Sequence, residues 1–256
     1  NGLFNKKLIL IYEIKLKQFE ALYVASITYL GNLYFPARVG AGLRLAYFKK
    51  FYKLNNSYLL IIFGYFFIVS LFINSIFGLF SIIFIENRQG SIGIFWIVIF
   101  MLSIASTTYL LVKKFNLKIV NPKSKVQKSI LDFTNKAREG WNKITSLRGT
   151  NLYLISIYVI NYFLFFLEIL LIFLFLEELL NIPSLVFYNS ISVFSSLLGL
   201  TPAAIGIKEF LILGTNQLLN IEISRLAQIF IIERAISILF SSIPIAISIV
   251  FNKIKK

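Results

Sequence analysis

The sequence predicts an all-α, polytopic helical membrane protein made of two inverted repeats, each carrying a re-entrant hairpin broken at a Pro/Gly pair. Three observations carry that prediction. Hydrophobic residues are 58% of the chain and charged residues only 14%, with a mean hydropathy of +0.81, whereas soluble domains are about 45–50% apolar. Several uninterrupted apolar runs reach the roughly 20 residues that cross a bilayer. Two short stretches, Pro36 to Gly40 and Pro202 to Gly206, share a Pro-x-x-x-Gly spacing, follow apolar runs and close in charge.

The second stretch is the more informative. Leu200 to Glu209 lies between the apolar runs 184–200 and 210–219, each uncharged and each short for a full span. A helix entering the bilayer breaks at Pro202, which has no N–H and clashes with the preceding turn, and Gly206 lets the backbone turn. Broken backbone inside a membrane is tolerated only where protein buries it or water reaches it, and transporters use such half-helix tips to hold polar groups. The plainer alternative is a surface loop between two helices. The same pattern after the apolar run 19–35 turns one short motif into an internal repeat, the trace that an inverted-repeat membrane fold leaves in a sequence.

In chain order, residues 3–17 mix Leu and Ile with Lys6, Lys7, Lys15 and Lys17 and read as a cytoplasmic end. Residues 19–35 enter the bilayer, 36–42 turn the chain, and 43–48 return it to Lys49, Lys50 and Lys53 on the same side. A long span follows at 58–85, an outside turn at 86–91, and a return span at 92–112. Residues 152–176 cross outward to Glu177 and Glu178, Pro183 opens the next helix where Pro is welcome, and the second hairpin enters and leaves from outside. The last span, 223–250, ends inside at Lys253, Lys255 and Lys256. The chain is thus expected to be one transmembrane domain, with a first repeat at 1–91 and a second at 92–256. The first repeat is two spans short and the first residue is Asn, so the chain is expected to begin inside a longer protein.

The net charge of +15 is concentrated. Ten of the 26 Lys and Arg lie between Lys113 and Arg148, against only Asp132 and Glu139. The positive-inside rule places this loop, 113–149, and the C-terminus in the cytoplasm of a cell that carries the protein in its plasma membrane. Basic charge also suits nucleic acid, but beside so many apolar runs that partner is excluded. Within the loop, Val126, Ile130, Phe133, Ala137, Trp141 and Ile144 recur at helical spacing, so they share one face. A helix with such a stripe and a basic remainder fits an anionic leaflet, or packs on the protein's own cytoplasmic ends, or receives a soluble partner; a homo-oligomer is the other association open to the chain.

Chemistry is poorly supplied. There is no Cys and no His, and Asp132 is the only Asp, which removes thiol chemistry, the commonest metal ligand and the commonest general base. No catalytic residue, metal or cofactor is expected, and no enzyme. What stands out instead is charge inside apolar segments: Arg44, Glu168, Lys208, Glu209, Glu233 and Arg234. Each costs at least about 2.5–3.5 kcal/mol at mid-bilayer, so such groups pair or face a cavity. Arg38 and Arg44 suit a lipid phosphate, whose oxygens a guanidinium fork matches, and Glu209 and Glu233 would orient the cations or meet a cationic headgroup. An internal ion-pair lattice that holds the hairpins together without a ligand is the competing reading.

The two tips resemble the transmembrane region of lysylphosphatidylglycerol synthases and their stand-alone flippase-like relatives, from about Tyr23 to about Val250. The family's first motif, similar to L-P-x-R-x-G-x-x-x-R, appears as Phe35-Pro36-Ala37-Arg38-Val39-Gly40-Ala41-Gly42-Leu43-Arg44. Its second, similar to P-x-x-x-G-x-[KR]-E, runs from Pro202 to Glu209, and the E-R pair that often follows is Glu233-Arg234. Two departures make any symmetric charge network lopsided. Ala41 stands where the family often has an acidic residue, and the span 58–85 has no E-R pair, Gly64 to Phe67 occupying that region. The resemblance implies two helices before the first motif and a lysyl-transfer reaction that resides in a separate soluble domain, which is not expected in this chain. It implies a flippase or transporter for an anionic phospholipid or lipid-linked precursor, with Arg38, Arg44, Lys208, Glu209, Glu233 and Arg234 binding substrate and Pro36, Gly40, Pro202 and Gly206 forming the tips. A membrane subunit of a lipid- or glycolipid-modifying enzyme is the alternative.

Overall fold

The computed structural model of the chain describes residues 2–10, 14–35, 38–85, 90–112, 124–146, 148–178, 180–198, 204 and 206–251. Among these the regular structure is helical throughout, as the sequence predicts. Pro36 and Pro202, and the loop residues 113–123, lie outside the described residues.

A short α1 (Gly2–Leu10) packs on α2 (Gln18–Tyr34). α2 pairs with α3 (Val39–Tyr52) as the first expected hairpin. Their crossing is close: a Cβ on Gly31 would lie 2.6 Å from the Gly40 Cα, and one on Gly40 would overlap the Thr28 carbonyl oxygen. Gly40 is therefore a packing residue in the first turn of α3. The left-handed backbone at this tip falls instead on Arg38, with φ 56°. At the second tip Ala204, likewise two residues after its Pro, has φ 54°. A non-Gly residue in that region costs roughly 1–2 kcal/mol, and the two tips carry that cost at matching places.

Four helices are long and apolar enough to cross a membrane. They are α4 (Asn56–Ile83), α5 (Ser91–Val112), α7 (Arg148–Phe175) and α11 (Ile223–Phe251), close to the four expected spans. α4 begins where Asn55 accepts a hydrogen bond from the Ser57 N–H at 3.1 Å, capping an orphan donor. Its 28 residues extend about 42 Å, more than the roughly 30 Å hydrocarbon needs. α4 is the spine of the molecule. Its first half, with Leu59, Ile62, Tyr65 and Val69, packs with α1, α3 and α7, and its last turn joins Trp96, Phe100, Phe187, Ile191 and Phe230. Edge-on contacts of Trp96 and Phe100 with Phe187 and Phe194 fasten α5 to α8 (Ile182–Leu198).

α8 opens on an Asn181 cap that accepts from the Ser184 N–H at 2.9 Å, with Pro183 in the first turn. It has 17 residues, too few to be a confident span, and packs on α4. The short α9 (Ile207–Leu213) returns against α8 and α11, and α10 (Asn216–Leu219) leads into α11. Gly206, with φ 82°, supplies the turn into α9.

The basic helix is α6 (Lys125–Ser146). Its C-terminal half packs on the protein: Trp141 and Ile144 are buried, and the Trp141 ring stands edge-on to Tyr65 of α4 at 6.0 Å. Phe133, on the same predicted stripe, is 40% exposed. The stripe thus has a protein-bound end and an open stretch, while Lys128, Lys136 and Lys143 are all exposed.

Candidate functional site

The site is built where α9 faces α11. Lys208 pairs with Glu233 and Glu209 pairs with Arg234. Adjacent residues on a helix point about 100° apart, and the two pairs differ in exposure. The Lys208–Glu233 pair is sealed, with side chains 8% and 11% exposed, and the Glu209–Arg234 pair is about a quarter exposed, at 26% and 28%. Glu233 Oε1 also accepts from the Ser192 hydroxyl of α8 at 3.1 Å. Glu209 spends its other oxygen on the Gly206 N–H, at 2.7 Å. That is one arm of a capping box, and it occupies a backbone donor at the second tip.

Arg38 closes the site from the first hairpin. Its guanidinium donates to the main-chain carbonyls of Ser196, at 3.2 Å, and Leu197, at the C-terminal end of α8. Helix C-termini leave carbonyls unpaired and carry partial negative charge, so a cation is well placed there. The same guanidinium lies 5.2 Å from the Phe67 ring centroid. The two tips thus meet through a side chain of one and the backbone of the other.

Arg38, Lys208, Glu233 and Arg234 line one cavity of about 250 Å³, together with hydroxyls and amides from five helices, Ser237 of α11 among them. Tyr29 and Asn32 come from α2, Ser70 from α4, Tyr158 and Asn161 from α7, and Asn189, Ser192 and Ser196 from α8. A larger groove of about 1100 Å³ runs beside it between α2, α7 and α11. Its walls are mostly apolar, with Leu22, Leu164, Leu171, Phe175, Ile236 and Phe240 among them. Tyr29, Asn161, Phe165 and Ser237 line both spaces, so the polar cavity and the apolar groove adjoin across one seam.

A family model described as the lysylphosphatidylglycerol synthase TM region matches residues 4–245. The chain belongs to that family. No curated protein and no solved structure matches it. The chain is therefore a membrane protein of the lysylphosphatidylglycerol synthase type, and the resemblance read from its two tip motifs and Glu233-Arg234 holds across nearly its whole length.

In this member of the lysylphosphatidylglycerol synthase transmembrane family, the six charged residues singled out from sequence do not act as one group. Arg38, Lys208, Glu233 and Arg234 share the cavity. Glu209 stands behind Arg234 and caps α9. Arg44 is buried elsewhere, with its guanidinium 3.9 Å from the Phe63 ring centroid of α4, where cation–π attraction compensates part of its desolvation. Of the tip residues, Gly40 packs α3 on α2 and Gly206 turns into α9. Among the described residues no group of three His, Cys, Asp or Glu is arranged to hold a metal ion.

Sequence reasoning missed the neutral polar lining. Asn161 and Glu168 are seven apart on α7, and Glu233, Ser237 and Ser241 are four apart on α11. Spacings of three, four and seven lie on one helical face, so a polar stripe along otherwise apolar spans was the available signal. Glu20 was passed over too: it accepts hydrogen bonds from Tyr47 at 2.8 Å and Tyr52 at 2.5 Å, joining α2 to the end of α3.

Proposed function

We propose that this protein moves an anionic phospholipid, or an anionic lipid-linked precursor, between leaflets, with the headgroup phosphate in the polar cavity and the acyl chains in the adjoining groove. The observation that carries this is the shared seam. A polar cavity faced by Lys208, Arg38 and Arg234 opens onto an apolar groove over four times its volume, and that is the division of an amphipathic lipid. Lys208 is held ready by Glu233, so the empty site is not an uncompensated cluster of positive charge, and a phosphate competes with the carboxylate for the ammonium. Arg44 takes no part in this reading and stabilises the α3–α4 contact. The reading assigns transport rather than a covalent step to this region.

The reading also takes α2–α3 and α8–α9 as hairpins of two inverted units within 1–91 and 92–256, entering from opposite faces of a plasma membrane. Supporting it are the contact of the tips through Arg38 and the matched left-handed residues Arg38 and Ala204. α6 and the C-terminus then lie on the cytoplasmic side.

The test reconstitutes the full chain in liposomes holding a trace of fluorescent phosphatidylglycerol and follows its exposure to an impermeant quencher. The expected result is protein-dependent movement that falls by about ten- to a hundredfold in Lys208→Gln, the equivalent of one charge-assisted hydrogen bond. Thermal unfolding of the same samples separates lost function from lost fold. Wild-type liposomes no faster than empty ones would remove the transport reading.

A further inference from the structure

One ionisable side chain in the groove has no place in the ion-pair arrangement. Glu168 lies on α7 among Leu164, Leu167, Leu171 and Ile172 in the apolar groove wall. Its Oε1 is sealed from solvent and has no hydrogen-bond partner among the described residues. The charged groups that act on it are Glu233 and Lys208. Lys208 is already bound to Glu233, and Arg234 to Glu209. From α2 and α11, Tyr29 and Ser237 line the same groove. Lys7 of α1 is occupied over the Tyr153 ring, about four turns back along α7.

Ionised, Glu168 would keep its Oε1 buried without a hydrogen bond, while the cation that acts on it, Lys208, is already bound to Glu233, and burying a charge so poorly compensated is unfavourable. A protonated carboxyl in the same place costs far less. The charge state also matters to a ligand. Glu168 stands one turn from Phe165, which lines the seam, so its carboxylate would repel a phosphate arriving in the cavity.

We propose that Glu168 is a proton-binding site linked to lipid occupancy: the protein holds an anionic lipid with Glu168 protonated and releases it as Glu168 ionises. This rests on the lipid reading of the cavity. Linkage then requires that lipid binding take up a proton, and that affinity rise as pH falls.

The experiment uses the purified full chain in detergent with a short-chain fluorescent phosphatidylglycerol, between pH 5 and pH 8. The expected wild-type result is binding about tenfold tighter at the acidic end, with protons taken up from weakly buffered solution as lipid is added. Glu168→Gln imitates the protonated side chain, so it binds tightly at every pH and takes up no proton. Glu168→Asp keeps the carboxyl and keeps the uptake, which preserves the test if the Gln variant does not fold. Lipid binding that is flat with pH and free of proton uptake overturns the coupling alone. Uptake that persists in folded Glu168→Gln overturns the assignment to Glu168. No lipid binding at any pH overturns the cavity reading, and the coupling with it.

Discussion

Arg38 donates a hydrogen bond to the main-chain carbonyl of Leu197, and so the first tip is tied to the last turn of α8. The donor is charged and the acceptor is a helix-terminal carbonyl, and hydrogen bonds to charged groups contribute about 1.5–3 kcal/mol each. Arg38→Gln is therefore expected to lower unfolding stability in detergent by about 2 kcal/mol. Both carbonyls accept from one nitrogen, Nη2, so Arg38→Lys, which keeps a charged donor, should recover part of it. A loss below about 0.5 kcal/mol in Arg38→Gln, the range of ordinary surface changes, would mean that the tips are held by packing alone.

Lys208 and Glu233 allow a sharper test, because a buried pair has two possible purposes. Removing one partner strands the other charge, at about 3–5 kcal/mol, whereas replacing both by apolar groups is often neutral. Lys208→Met and Glu233→Leu should each destabilise strongly, and the double variant should regain most of that stability. If the pair only holds α9 to α11, the double variant also moves lipid. If Lys208 is the phosphate's partner, the double variant is folded and inactive. Scrambling and unfolding measured on the same reconstituted protein give the decision.

The spans were legible because crossing a bilayer demands a long apolar helix, and four such runs stand between charged ends. Pairing of Glu233 with a cation on a neighbouring helix was legible from the cost of burying it alone. The partition of the charges was not. Arg38 and Arg44 are six residues apart in one motif, yet Arg38 reaches across to α8 while Arg44 turns back onto Phe63. Only the angle at which α3 packs on α4 decides that, and no local pattern encodes it. The groove was equally hidden, since its walls are the same Leu, Ile and Phe that face lipid elsewhere. Gly40 illustrates the limit: its presence is visible in the sequence, but whether it serves a turn or the contact with Gly31 is a matter of which helix lies beside it.

α6 is expected to work with its two ends differently. Trp141 is 5% exposed against Tyr65, and truncating a buried aromatic costs about 3–5 kcal/mol. Trp141→Ala should therefore destabilise the protein by that order, while Phe133→Ala changes stability by less than about 0.5 kcal/mol. A peptide of residues 123–144 should turn helical on anionic vesicles and much less on neutral ones, followed by circular dichroism. Equal helicity on both would remove the electrostatic attraction from the account of this helix.

The inverted-hairpin reading makes a sidedness prediction that needs only single cysteines, and the chain has none of its own. Val39 begins α3 and Ile207 begins α9, one at each tip. Residue 39 is exposed and residue 207 part-buried, so both can be labelled. If the hairpins enter from opposite faces and their broken backbone is wetted by the cavity between them, an impermeant thiol reagent reaches each only slowly, and from its own side. The expected order is slow labelling of Val39→Cys from the cytoplasmic face and slow labelling of Ile207→Cys from the other. A cysteine at Lys136, on the exposed surface of α6, gives the rate of an open cytoplasmic site. If Val39→Cys and Ile207→Cys react from the same face, or as fast as the α6 control, the hairpins are ordinary connecting loops. The contact between Arg38 and Leu197 would then lie at a membrane surface, and the headgroup would have no path through the polar cavity.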